Sequence, residues 1–81
     1  MLVTVNLYGE LRSYLPTGRP GPFNLKVPTR TTVRDILNYL RVPNDVPLAV
    51  VINGSHEDRD FRVAEDDVLS VFSMAAFRAN A

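Results

Sequence analysis

Hydrophobic and polar positions alternate from the start of the chain. In LVTVNLY, Val3, Val5 and Leu7 fall on one side and Thr4, Asn6 and Tyr8 on the other, the two-residue period of a half-buried strand. A strand is predicted over Leu2 to Tyr8. After Gly9, ELRSYL spaces Leu11, Tyr14 and Leu15 by three and four residues, enough for one or two helical turns before Pro16. PTGRPGP reads as a loop, because its prolines withhold the backbone donors that a helix or a central strand requires. FNLKV alternates again, with Phe23, Leu25 and Val27 against Asn24 and Lys26, and Pro28 stops the ladder. A second strand therefore returns beside the first.

The spacing then changes from two to 3.6. In TTVRDILNYLRV, Val33, Ile36, Leu37 and Leu40 form one buried stripe, while Thr32 and Asp35 have the spacing of a capping box at the helix start. VPNDVP reads as a loop. LAVVIN is apolar at successive positions with β-branched enrichment, as in a strand that is covered on both faces or lies mid-sheet. Asn53 and Gly54 suit a tight hairpin turn. SHEDRD reads as a polar connection, Phe61 and Val63 as anchors of a short strand or coil, and EDD as a turn. VLSVF closes the chain of elements, with Leu69 and Val71 on one face and Val68, Ser70 and Phe72 on the other.

A hairpin joined through one helix to further strands packs best as a single mixed sheet across that helix, with the first and last strands adjacent in the middle. The expected class is α+β, a ubiquitin-like β-grasp with four or five strands over one main helix. Residues 1–72 would form the domain and residues 73–81 a C-terminal tail. Local wording agrees: LYGELRSYLP after the first strand, TVRDIL opening the helix, VVING before a turn and EDDVLSVF as the last strand. These stretches resemble the ubiquitin-like sulfur carriers of the ThiS and MoaD type, which serve thiamin and molybdopterin synthesis. They are similar also to the small ubiquitin-like domain that precedes a PIN-like ribonuclease domain. The resemblance spans Leu2 to Phe72 and speaks to fold more than to chemistry.

In those carriers the last strand leads into a Gly-Gly tail whose carboxylate a partner enzyme adenylates and converts to a thiocarboxylate. Glycine suits the task because a tail without Cβ atoms threads a narrow channel. Here the corresponding residues run SMAAFRANA from Ser73 to Ala81, Phe77 and Arg78 fall where the glycine pair belongs, and the last glycine is Gly54. No residue inherits the carrier role. The expectation is a non-catalytic ThiS/MoaD-like binding module or accessory in cofactor-related metabolism. Two alternatives stand beside it: a sulfur carrier whose Gly-Gly lies beyond Ala81, and a scaffold for a PIN-like ribonuclease.

Composition narrows the chemistry further. The 81 residues include no cysteine, which removes disulfides, thiolate zinc sites and thiol nucleophiles. Nine basic residues balance nine acidic ones, so no long-range field draws the chain to a phosphate backbone, and nucleic acid is not an expected partner. No apolar run approaches the roughly 20 residues that span a bilayer, and MLVTVNLYG lacks the pattern of a signal peptide, so a cytoplasmic protein is expected. Ser13, Ser55, Ser70 and Ser73 share one histidine, His56, which sits on a polar stretch; a stand-alone enzyme is not expected. His56 among Glu57, Asp58 and Asp60 lacks the spacing of a metal site, and no cofactor is expected.

What remains is contact. Thr4, Tyr8, Val68, Ser70 and Phe72 would share the outward face of two central strands, and Tyr8, Val68 and Phe72 are the candidate hot spots for a protein partner. That partner would be an adenylating or cofactor-synthesis enzyme, or a metalloenzyme. In the tail, Ser73 offers a cap for a short helix that gains stability only if Met74 and Phe77 cover a surface. Tyr8, Val68, Ser70, Phe72, Met74 and Phe77 are thus the expected partner-binding residues.

Overall fold

The computed structural model describes residues 1–15 and 21–74. Five strands form one mixed sheet: β1 (Leu2–Leu7), β2 (Phe23–Lys26), β3 (Leu48–Ile52), β4 (Ser55–Glu57) and β5 (Val68–Ser73). Their order is β2-β1-β5-β3-β4, so the first and last strands lie side by side at the centre. β1 and β5 run parallel, and every other neighbouring pair is antiparallel. One helix, α1 (Val33–Tyr39), crosses the inner face, and a 3₁₀ segment, Gly9–Tyr14, follows β1. This is the ubiquitin-like β-grasp arrangement that the order of hydrophobic periods predicts. Among the described residues no helix is long and apolar enough to cross a membrane.

The two predicted stripes meet in the core. Val3, Val5 and Leu7 of β1 and Leu69 and Val71 of β5 are buried against Val33, Ile36, Leu37 and Leu40. β3 is mid-sheet, as its composition suggests. Its inner residues Val50 and Ile52 are buried, whereas Ala49 and Val51 on the other face are half-exposed.

The start of α1 explains a stretch that periodicity leaves undecided. A helix begins with backbone donors that have no partner inside it. Here the N–H groups of Val33 and Arg34 donate to the carbonyls of Phe61 and Arg59, at 3.0 and 2.8 Å. The Asp35 N–H donates to Thr32 Oγ1, and the Thr32 N–H donates back to Asp35 Oδ2, completing the capping box. Phe61 and Val63 are therefore coil that covers a helix end; only an isolated bridge, Thr32 to Arg62, resembles a strand there. At the other end Val42 N–H reaches the Leu37 carbonyl and Arg41 N–H that of Asn38, with Arg41 at φ 65° in the position usually given to glycine.

SHEDRD corrects the sequence-based expectation of a plain connection. Asn53 and Gly54 turn with φ of 50° and 89°, a conformation whose twist suits a two-residue hairpin, and Ser55–Glu57 then pair with β3 as the edge strand. An edge strand exposed on both faces buries too little to leave an apolar period in its sequence.

Hydrogen bonds to the Thr32 backbone and then to its side chain hold the Asp35 carboxyl below the ordinary aspartate pKa, with Arg34 adding to the effect and partial desolvation opposing it. A depressed folded-state pKa contributes stability above the unfolded value, near pH 4, and loses it as pH falls through the lower folded value. The urea midpoint is therefore expected to fall less between pH 5 and pH 2.5 in Asp35→Asn than in the wild type. Parallel profiles for the two proteins would contradict this. Thr32→Ala, which removes the other half of the box, is expected to cost about 1 kcal/mol at neutral pH.

Candidate functional site

Because successive side chains on a strand point to opposite faces, each strand that sends aliphatics to the core presents its other residues outward. The registers bring Thr4 beside Val68, and Asn6 beside Ser70. Ser70 also faces Val51, and Phe72 faces Ala49. Val51 is opposite His56 on β4, and Thr4 is opposite Asn24 on β2. The outer face is thus a shallow, mostly neutral surface.

Its centre of contact is aromatic. Tyr8 extends the β1 register by one residue, its N–H donating to the Val71 carbonyl at 3.0 Å. The Tyr8 ring stacks on that of Phe72 with centroids 4.5 Å apart and planes 6° from parallel, a near-parallel pairing that adds to burial energy. Tyr8 is 42% exposed and Val68 39%, while Ser70 and Phe72 are half-buried. Four of the residues expected to bind a partner, Tyr8, Val68, Ser70 and Phe72, are therefore on one continuous face. Met74, half-buried, follows directly, its N–H held by the Pro47 carbonyl at 2.9 Å. Phe77 lies outside the described residues.

The short helix that Ser73 is expected to cap lies outside the described residues. Ser73 is the last residue of β5, it is buried, and its hydroxyl donates to Glu10 Oε1 at 2.9 Å, linking the strand end to the 3₁₀ segment. Arg59 was also missed by sequence reasoning. Its guanidinium donates to the carbonyls of Asn44 and Val46 and holds the loop before β3. Neither contact leaves a local signal, since the partners are 63 and 13 to 15 residues away.

Among the described residues the polar groups do not assemble into a reacting set. Ser70 and His56 flank Val51 in one row, two strand spacings or about 10 Å apart, too far for a base to take a proton from a hydroxyl. On β4, His56 points to the outer face and Glu57 to the inner one, while Asp58 accepts from the Asp60 N–H and Asp60 pairs with Arg34 at 3.1 Å. Among the described residues no three metal-binding side chains converge. The Arg34–Asp60 pair is exposed on both sides and contributes little.

A family model described as Mut7-C ubiquitin matches residues 1–78. Among solved structures, the chain is similar to a putative molybdopterin converting factor, subunit 1, from Pyrococcus furiosus (TM-score 0.69, 19% identity, covering 89% of this chain and 95% of that one). It is similar to small archaeal modifier protein 1 from Haloferax volcanii (TM-score 0.71, 22% identity, 89% and 95%). It is also similar to a chain in the complex of subunits 1 and 2 of molybdopterin-converting factor from Helicobacter pylori (TM-score 0.56, 22% identity, 90% and 93%). No curated protein is significantly similar in sequence. At these identities the structural likenesses establish the fold.

Proposed function

Since this chain belongs to the Mut7-C ubiquitin family and is a ThiS/MoaD-like β-grasp protein, we propose that it works as a non-catalytic binding module for a cofactor-synthesis or adenylating enzyme. Cofactor-related sulfur metabolism of the molybdopterin or thiamin type, in the cytoplasm, is the setting this reading takes. The observation that carries it is the stacked Tyr8–Phe72 pair on the outer face of β1 and β5, with exposed Val68 on the same face beyond Asn6 and Ser70, side chains of the kind that anchor protein interfaces. A neighbour of the same fold is found in a complex of subunits 1 and 2 of molybdopterin-converting factor, which supports a protein partner.

Calorimetric titration against the molybdopterin-converting factor subunit 2 of the same organism tests this reading. Tyr8→Ala and Val68→Asp are each expected to weaken binding by about tenfold or more, as truncation of a central anchor does. Both side chains are exposed, so the variants should melt within a few degrees of the wild type. Unchanged affinity in both would remove the outer face from the interface. A thiocarboxylate mass gain on protein from native cells would favour the sulfur-carrier alternative. A second reading, a scaffold for a PIN-like ribonuclease, follows from the resemblance of the sequence to the ubiquitin-like domain that precedes such a domain. It predicts the same loss on titration with that ribonuclease.

A further inference from the structure

β2 closes one edge of the sheet, and among the described residues its outer side is unpaired. Met1 and Val27 exchange two hydrogen bonds, the Met1 amine donating to the Val27 carbonyl and the Val27 N–H to the Met1 carbonyl. In an antiparallel ladder such pairs recur at every second residue, so Val3 with Leu25 and Val5 with Phe23 are bonded in the same way, in the observed register. The N–H and C=O groups of Asn24 and Lys26 consequently point away from β1. The opposite strand agrees: Thr4 and Leu2 turn their N–H groups toward the Asp67 carbonyl and the Glu65 carboxylate. Among the described residues no segment pairs with the outward side of β2.

Beside this edge is a cleft of about 360 Å³ between β2 and α1. Leu25, Val27 and Ile36 give it apolar walls, and Tyr39, 69% exposed, stands one helical turn beyond Ile36 at its rim. Thr31, the polar residue of the floor, already donates to the Pro28 carbonyl at 2.6 Å. The Asp35 carboxylate is engaged by the capping box. Lys26, whose side chain is on the outer face of the sheet, has no ion-pair partner among the described residues.

We propose that this edge and cleft bind an extended segment of another protein as a sixth, antiparallel strand. It is a second docking site, on a different side of the molecule from the Tyr8–Phe72 face. The geometry fixes the chemistry of the occupant. Four backbone groups, on Asn24 and Lys26, call for an extended chain that returns four hydrogen bonds. Residues opposite one another in a ladder share a face, so the side chains opposite Leu25 and Val27 enter the cleft and are apolar. The side chain opposite Lys26 lies beside its ammonium group on the outer face and is a carboxylate. A second copy of this chain, paired about Leu25, would set Asn24 there in place of an acid, leaving the Lys26 charge unmatched.

The blocked hexapeptide Ser-Val-Asp-Ile-Thr-Ser places valine opposite Val27, aspartate opposite Lys26, isoleucine opposite Leu25 and threonine opposite Asn24. Titrated into ¹⁵N-labelled protein, it is expected to shift the amides of Asn24, Lys26, Ile36 and Tyr39 and to slow exchange at Asn24 and Lys26. N-methylation of the peptide's aspartate and threonine amides should abolish binding, and N-methylation of its isoleucine amide, which faces solvent, should leave it. Tyr39→Ala, at an exposed position that leaves the fold intact, should weaken binding about tenfold. Lys26→Glu should reverse the preference for aspartate over lysine in the probe. Three results would overturn the proposal. The first is no saturable shift at millimolar peptide, or equal binding of the doubly methylated probe. The second is a set of shifts confined to Tyr8, Ser70 and Phe72. The third is concentration-dependent change at Asn24 and Lys26 without peptide, which would give the edge to a second copy.

Discussion

Replacing Leu37 with alanine is expected to remove about 3–5 kcal/mol of stability, the range for deleting a fully buried leucine side chain whose cavity does not collapse. Leu37 is 1% exposed and sits in the buried stripe of α1, packed into the one core of the domain. Its carbonyl also accepts the Val42 N–H that ends the helix, so the residue joins the core to the helix terminus. A domain of this size holds on the order of 5 kcal/mol in total. Leu37→Ala should therefore keep only about 0–2 kcal/mol and populate the unfolded state measurably at 37 °C, visible as a second, poorly dispersed set of amide signals and weakened near-ultraviolet dichroism. Leu37→Met, which conserves volume, should cost less than about 1.5 kcal/mol. An unfolding free energy for the alanine variant within about 1 kcal/mol of the wild type, from denaturant titration, would show that the helix does not cover the sheet as described.

Asn53→Ala is expected to be the most damaging change at an exposed position, at about 2–3 kcal/mol. Two effects add. Asn53 holds a left-handed φ of 50°, which asparagine tolerates and alanine resists. Its side chain also supplies an acceptor for the Val68 N–H where β3 turns away from β5, while the Asn53 N–H still donates to the Val68 carbonyl at 3.0 Å. Asn53 Oδ1 accepts the Val68 N–H, and Nδ2 donates to Asp67 Oδ1, both at 2.9 Å; each such bond is worth about 1 kcal/mol. Asn53→Gly separates the terms, because glycine restores the turn without the side chain, and should cost about 1–2 kcal/mol. Equal losses in the two variants would mean that the turn conformation contributes nothing. A loss under about 0.5 kcal/mol in both would mean that the bonds to Asp67 and Val68 contribute nothing either.

These two residues also mark how far the sequence reaches. Leu37 belongs to a 3.6-residue stripe that predicts both the helix and its buried face. β1 and β5 alternate so cleanly that the two-residue period alone assigns Tyr8, Val68, Ser70 and Phe72 to the outer face. Asn53 is legible as a turn residue because Asn-Gly has a conformational preference of its own. Its two bonds to Asp67 and Val68 are not legible, nor is the return of the chain as β4. The strand Ser55–Glu57 is polar on both sides, so it offers nothing for a period to record.

The sequence by itself determined the order of elements and the faces they bury, because burial and backbone preference act on each residue within a few neighbours. Only the tertiary structure decided that Tyr8 stacks on Phe72, that Ser73 is held by Glu10, that the carbonyls of Arg59 and Phe61 complete the start of α1, and that β2 leaves an open edge above a cleft. Each of those depends on which strand lies beside which. That choice is made when the sheet closes over the helix and distant segments are brought into register, and no local pattern encodes it.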